Sequence, residues 1–288
     1  MSILFQKETV TRANLASWLY SKLVAAGWEQ ISSNISTDGY VFRSSGEAGD
    51  CDYYINLNAD FFATGGGGIN QYGINLFPCL GYTPGVAGAA GTFVYKQSSG
   101  IYQPAFSAVS SAADREFTFY YSVNKDRVVF VNTFPLAQGS SANGRICSSF
   151  LMYVGIPERR TRPNAESKVN AGNFLWVMNP AIYSYLTPVT YFFTPTTGSM
   201  ALTFTYKAYQ YWTNNNIPYA PGRPIPLIPM SVTDGTTDFG FLDGLYVPPA
   251  NIPNIDGDII NVGAEQFRVC WAYNSWNNIG YPFCIRVG

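Results

Sequence analysis

The sequence predicts a mainly β protein, built as a β-sandwich or from barrel-like sheets, with one N-terminal amphipathic helix and long loops. Only one segment, before residue 28, carries apolar residues at helical spacing. After it, short segments of alternating apolar and polar residues recur, as in half-buried strands. Glycine-rich stretches at residues 65–68 and 83–92 separate some of these segments and predict flexible loops.

The predicted helix is defined by an apolar stripe and by signals at both of its ends. Its stripe consists of Leu15, Trp18, Leu19 and Leu23. Thr11 is placed to cap the first turn, and Gly27 is typical of a helix end. We expect the stripe to pack on the sheet that follows.

The strongest strand signal is a hairpin between residues 117 and 133. Alternating Phe117, Phe119, Tyr121 and Val123 lead into the short turn 124–126, and residues 127–133 return as a second strand. Tyr53, Ile55 and Leu57 predict an earlier half-buried strand by the same alternation. Further strands are predicted at residues 150–154, 190–193, 202–206, 245–247, 259–262, 267–273 and 283–287.

A charged run at residues 158–162 predicts an exposed loop and a domain boundary. We therefore expect a helix-plus-β domain at residues 1–157 and a second β-rich region at residues 158–288, with a single domain as the alternative. The second region contains a proline-rich arm at residues 218–229, which includes Pro221 and Pro224. Such an arm is extended and either covers the sheet or reaches a neighbouring subunit.

The chain contains no histidine among its 288 residues. Histidine is the usual general base of catalytic triads and the commonest metal ligand. The glycine run lacks the Lys-Ser/Thr of a phosphate-binding loop. Asn254, Asp256 and Asp258 alternate without completing a calcium-loop motif. The sequence thus predicts a protein that is not an enzyme and has no cofactor or metal.

Charge is scarce and unevenly distributed. Charged residues make up 12% of the chain, against about a quarter in an average soluble domain. Lys96 is the only charged residue between positions 61 and 113, and residues 170–233 contain only Lys207 and Arg223. Surfaces built from such stretches favour burial in a homo-oligomeric assembly. The alternative is that they form core strands and polar loops.

Net charge, apolar runs and cysteine spacing limit the partners and the cellular compartment that the sequence predicts. A formal net charge of −1 gives no reason to expect nucleic acid. The sequence has no apolar run of about 20 residues that would span a membrane, and its first residues lack a signal-peptide pattern. The five cysteines form no CxxC pair, which favours buried reduced thiols in a reducing cytosol.

Two aromatic clusters and one basic cluster are the candidate binding residues. The aromatic clusters contain Tyr209, Tyr211 and Trp212, and Trp271, Tyr273 and Trp276, each interspersed with Asn. Rings with amides serve as strand core, as protein-interface anchors or as a glycan-binding surface, in that order of preference. The basic cluster, Arg159, Arg160 and Arg162, either binds an acidic patch or forms a solvated loop.

The order of several segments resembles the virion structural proteins of tailed bacteriophages, found in tails, baseplates and necks. The resemblance is carried by AAGW at residues 25–28, FYYSVNKDRVV at 119–129, SFLMYVG at 149–155, LDGLYV at 242–247 and GDIINVG at 257–263. It implies a non-enzymatic subunit of a symmetric virion, assembled with other virion structural proteins in the bacterial cytoplasm. It transfers no functional residue. The alternatives are a tail protein that binds a receptor or host-surface glycan, and a polysaccharide or cell-wall hydrolase.

Overall fold

In the part of the chain that the structure describes, three antiparallel β-sheets and one main helix are present, which confirms the mainly β class with an N-terminal helix. The computed structural model describes residues 3–49, 52–64, 70–96, 116–133, 149–155, 174–178, 189–193, 201–202, 227–233, 238–248, 257–274 and 279–288.

A seven-stranded central sheet has the strand order β1-β7-β8-β9-β10-β11-β12. Its strands are β1 (Gln6–Thr11), β7 (Glu116–Val123), β8 (Arg127–Thr133), β9 (Ser149–Gly155), β10 (Phe174–Met178), β11 (Val189–Phe193) and β12 (Ala201–Leu202).

Two five-stranded sheets accompany the central sheet. The N-terminal sheet runs β2-β3-β4-β5-β6, and its strands are β2 (Glu29–Gln30), β3 (Tyr40–Ser44), β4 (Tyr53–Thr64), β5 (Asn70–Thr83) and β6 (Thr92–Lys96). The C-terminal sheet runs β13-β14-β17-β16-β15. Its strands are β13 (Ile228–Thr233), β14 (Asp238–Val247), β15 (Ile259–Val262), β16 (Glu265–Asn274) and β17 (Ile279–Arg286).

The predicted helix is present as α1 (Leu15–Ala25), and Gly27 follows it with a φ of 87°. This left-handed conformation ends helices and favours glycine, so that part of the prediction is confirmed. The predicted cap at Thr11 is wrong, because Thr11 is the last residue of β1 and pairs with Glu116. A 3-10 turn over Arg12–Asn14 intervenes, and Asn14 occupies the N-cap position.

A second, short helix lies where the sequence predicts only strands and loops. Helix α2 (Ile35–Asp38) is a single turn, and the side chain of its N-cap, Asn34, accepts a hydrogen bond from the Thr37 amide at 3.3 Å. Four residues are too few for an apolar period to appear in the sequence.

The β7–β8 hairpin is confirmed, and its turn is fixed by one asparagine. The Asn124 side-chain oxygen accepts hydrogen bonds from the amides of Asp126 at 2.9 Å and Arg127 at 3.0 Å. This is the local bonding that makes asparagine a turn residue.

The central sheet is buried on both faces where β7, β8 and β9 pair. One face packs against α1 and the N-terminal sheet, in a core that includes Leu19, Ile55, Phe119, Phe130 and Val154. The opposite face packs against the C-terminal sheet, in a core that includes Val129, Val131, Tyr153, Leu245 and Ile285. The central sheet therefore packs face to face with the helix and N-terminal sheet on one side and with the C-terminal sheet on the other.

The first and last described segments meet at the edge of the central sheet. The amide of Phe5, directly before β1, donates to the carbonyl oxygen of Arg286 at 2.9 Å. Phe5 is itself buried against the C-terminal sheet. The residue before β1 thus links the central and C-terminal sheets by a backbone hydrogen bond.

The boundary predicted between residues 157 and 158 falls outside the described residues, and the division into two domains stays a prediction. Across it, β9 and β10 are adjacent strands of the central sheet, with Gly155 opposite Leu175.

Three of the five cysteines fit the prediction of buried reduced thiols. Cys79, Cys270 and Cys284 are buried. Burial raises the pKa of the Cys284 thiol to about 12, so this group is protonated at neutral pH. Cys51 and Cys147 lie outside the described residues.

The dependence of the fold on α1 can be tested with two neighbouring helix residues. Leu23 is fully buried between the sheets, whereas the adjacent Val24 is 46% exposed. We expect Leu23→Ala to lower the free energy of unfolding by about 2–5 kcal/mol, because it leaves a cavity in the core. The control Val24→Ala should change it by about 0.5 kcal/mol or less. Urea titration measures both values, and equal effects would contradict the placement of α1.

Candidate interaction surface

Apolar side chains of three elements are exposed near the β6 edge of the N-terminal sheet. Ile35 of α2 is 45% exposed, Val86 of the 3-10 turn Val86–Gly88 is 85% exposed, and Val94 of β6 is 56% exposed. We call Ile35 and residues 84–91 the sheet-corner surface. Residues 84–95 include no charged side chain, so the exposed tip is apolar.

The buried carboxylate of Asp38 holds the base of this surface. Its Oδ2 accepts hydrogen bonds from the Tyr82 hydroxyl at 2.7 Å and from the Gly91 amide at 2.9 Å. Burial of Tyr82 and its bond to Asp38 both raise the pKa of the Tyr82 hydroxyl. The phenol therefore stays protonated at neutral pH and remains a donor to the carboxylate.

Two asparagines attach the same region to its surroundings. Asn34 donates from Nδ2 to the carbonyl oxygen of Gly88 at 2.5 Å, which joins α2 to the 3-10 turn. Asn56 of β4 donates from Nδ2 to the carbonyl oxygen of Asp38 at 2.6 Å. Residues 84–91 are thus tied to α2 at Gly88 and to Asp38 at Gly91.

The local backbone requires the small residues that the sequence supplies. A Cβ at Gly91 would lie 2.3 Å from the Tyr82 ring, so no larger residue fits there. Ala87 has a φ of 55° and a ψ of 37°, the left-handed region that non-glycine residues seldom occupy. Such a conformation persists where neighbouring contacts hold it in place.

The structure gives this segment more order than the sequence predicts. Residues 83–92 are predicted as a flexible loop, yet they contain a 3-10 turn and hydrogen bonds at Gly88 and Gly91. The hydrogen-bond partners of this segment, Asn34 and Asp38, are distant in sequence, so no local sequence pattern predicts these contacts. The one local signal is a valine within a run of glycine and alanine.

A second polar cluster joins β1, α1 and β7. The Glu8 carboxylate accepts hydrogen bonds at 2.5 Å from Trp18 Nε1, Lys22 Nζ and the Tyr121 hydroxyl. Burial alone would raise the pKa of Glu8, but the bonds from Lys22, Tyr121 and Trp18 outweigh it and lower the pKa. The Lys22 ammonium also lies 4.9 Å from the centre of the Tyr121 ring. This cluster fixes the helix against the central sheet.

A third polar cluster joins the central and C-terminal sheets. The Arg127 guanidinium donates to Asp243 at the interface between β8 and β14. Burial would lower the pKa of Arg127, but the nearby Tyr153, Asp243 and Asp126 raise it. Burial raises the pKa of the Tyr153 hydroxyl, which keeps it neutral. The Arg127–Asp243 pair therefore lies between the central sheet and the C-terminal sheet.

Most candidate residues from the sequence lie outside the described residues. These are Tyr209, Tyr211, Trp212, Trp276, Arg159, Arg160, Arg162, Pro221 and Pro224. Trp271 and Tyr273 belong to β16, where they pair with Pro282 and Gly280 of β17. The interface and glycan interpretations of these residues stay predictions.

Within the described ranges, no group of three or more Cys, Asp or Glu side chains is arranged to hold a metal ion. No helix in the same ranges is both long and apolar enough to cross a membrane. Compared with models of known protein families and with curated proteins, the chain matches none.

The role of Asp38 can be tested by removing its carboxylate. Asp38→Ala leaves the Tyr82 hydroxyl and the Gly91 amide without their acceptor, and we expect a loss of about 3 kcal/mol in stability. Hydrogen exchange should accelerate at Gly91. The control Asp52→Ala removes an exposed carboxylate paired with Arg43 at 2.6 Å and should cost about 1 kcal/mol or less. Unchanged exchange at Gly91 in Asp38→Ala would contradict the anchoring role.

The Glu8 cluster predicts a pH dependence of stability. The folded-state pKa of Glu8 lies below the ordinary value of 4.5, so the stabilisation is complete above that value and is lost as the pH falls through the lowered pKa. We expect Glu8→Gln to reduce stability at pH 7 and to flatten the acid limb of the stability profile. Thermal unfolding between pH 2 and pH 7 measures the effect.

A matched control for this experiment is Glu116→Gln, at the exposed start of β7. It should keep the acid limb of the wild-type protein. If Glu8→Gln retained the full acid limb, the assignment of this pH dependence to Glu8 would be wrong.

Proposed function

We propose that this chain is a non-enzymatic structural subunit of a tailed-phage particle, of the tail or baseplate, and that the sheet-corner surface binds a neighbouring virion protein. The observation that carries the proposal is the exposed, uncharged tip at Val86, held on an anchored loop. The phage setting is supported by the sequence resemblance. The virion would then be its final location, after assembly in the host cytoplasm.

The physical argument starts from the cost of exposing an apolar tip. A side chain such as Val86 gains free energy when a partner removes it from water, at about 25 cal/mol per Å² of apolar surface. Because Asp38 and Asn34 already hold the loop, binding need not order it. A preordered loop loses less conformational entropy on association, which favours its use as a contact site.

The polar clusters support a structural role for the described part of the chain. The oxygens of Glu8 accept hydrogen bonds from α1 and β7, and Arg127 binds Asp243 between two sheets. These charged groups join layers of the fold. The absence of histidine is consistent with the same role.

The proposal can be tested by changing the tip of the surface in particles that carry this chain. Val86→Asp places a charge where a neighbour would otherwise bury an apolar group. We expect at least a tenfold loss of incorporation, measured by mass spectrometry of particles purified by sedimentation. The control Val24→Asp changes an exposed valine on α1 and should leave incorporation unchanged.

Normal incorporation of Val86→Asp would contradict the assigned surface. Absence of the wild-type chain from purified particles would contradict the virion role as a whole. Selective glycan binding by the purified chain, unaffected by Val86→Asp, would instead favour the receptor-binding alternative.

A further inference from the structure

Strand β6 is the outermost strand of the N-terminal sheet. It pairs with β5 on one side, with Phe93 opposite Tyr82 and Val94 opposite Gly81. In the strand order of the described residues, no strand lies on its other side. An edge of this kind presents backbone amide and carbonyl groups that another strand can pair with.

Most other sheet edges carry features that discourage pairing. Strand β1 contains Lys7 and Glu8, and β13 contains Pro229 together with irregular register. Strands β2 and β12 are two residues long, and β15 has four. Strand β6 has no proline, its single charged residue, Lys96, is its last residue, and its register is regular. It is therefore the least protected of the described edges.

We infer that β6 pairs with β6 of a second copy of this chain, antiparallel and across a two-fold axis, with Val94 opposite Val94 of that copy. The inference rests on the proposed assembly role and adds a second copy as the partner at the sheet edge that follows the sheet-corner surface in the chain. A two-fold axis perpendicular to the sheet keeps each face continuous with the same face of the second copy. The two N-terminal sheets then form one larger sheet.

The register follows from the length and charge of the strand. Centring the pair on Val94 uses all five residues of TFVYK, whereas centring it on another residue leaves part of the strand unpaired. In this register Thr92 lies opposite Lys96 of the second copy. The only charged residue therefore faces a neutral one and not its own copy, which avoids like-charge repulsion. The strand can therefore pair with its own copy without placing like charges opposite each other.

The side chains on the two faces of β6 agree with this arrangement. The Phe93 ring packs against Tyr82, with ring centres 4.8 Å apart, so the inner face of the strand is already occupied. Val94 lies on the opposite face and is more than half exposed. Pairing would bring two exposed valines into direct cross-strand contact, which buries apolar surface from both copies.

The test uses opposite charges at position 94. In Val94→Lys or Val94→Glu, like charges would face each other across the axis, and we expect self-association to weaken by about a hundredfold. An equimolar mixture of the two variants should recover association to within about tenfold of the wild-type value. Sedimentation equilibrium of the purified chains measures this. The control Ile259→Lys alters an exposed residue on the β15 edge and should leave association unchanged.

Three outcomes would overturn the inference: a wild-type chain that stays monomeric at high concentration, a Val94→Lys variant that associates normally, or an equal effect from Ile259→Lys. If the charged variants fail to fold, as judged by circular dichroism, Val94→Cys decides the question. Directly opposed strand residues lie within disulfide distance. Mild oxidation should then give a covalent dimer that Ile259→Cys does not give.

The two proposals fail in different ways. If the Val94 variants lose dimers but are still incorporated into particles, the virion role stands and β6 pairing is not part of it. Dimers that depend on Val94, in a chain absent from particles, would retain the pairing and reject the virion role.

Discussion

Burial of strands β7, β8 and β9 on both faces of the central sheet is the constraint on which the rest of the structure depends. In β8, Val128 and Phe130 face the helix layer, whereas Val129 and Val131 face the C-terminal sheet. A strand of this kind cannot remain stable with one face in water, because several large apolar groups would be exposed together. The helix layer and the C-terminal sheet are therefore both required, and both pack on strands β7, β8 and β9.

The charged clusters at the layer boundaries give this packing its orientation. Glu8 fixes α1 on one side of the central sheet, and Arg127 fixes β14 on the other. A partly buried ion pair contributes little net stability, because desolvation offsets much of the attraction. Removing one member of such a pair is costly, because the other charge is then partly buried without its partner. The apolar cores supply most of the stability.

The sequence predicts the elements better than it predicts their partners. Alternation identifies the β7–β8 hairpin, and the leucine stripe identifies α1, because both signals are local. The uninterrupted apolar run from Val128 to Val131 also indicates a strand buried on both faces, a signal that alternation alone does not give. The sheet-corner surface could not be predicted, because Asp38 and Gly91 meet only in the folded chain.

The hydrogen bond between Phe5 and Arg286 has a consequence for how the molecule folds. Its two residues come from opposite ends of the described chain, so closing it carries a large loop entropy that local hairpins do not. Contacts of such high sequence separation slow folding, and β1 also pairs with β7 across more than a hundred residues. We expect the β7–β8 hairpin to form early and the N-terminal strand to dock late. Until it docks, β7 is itself an open edge, and a partly folded chain is most exposed to mispairing at that strand.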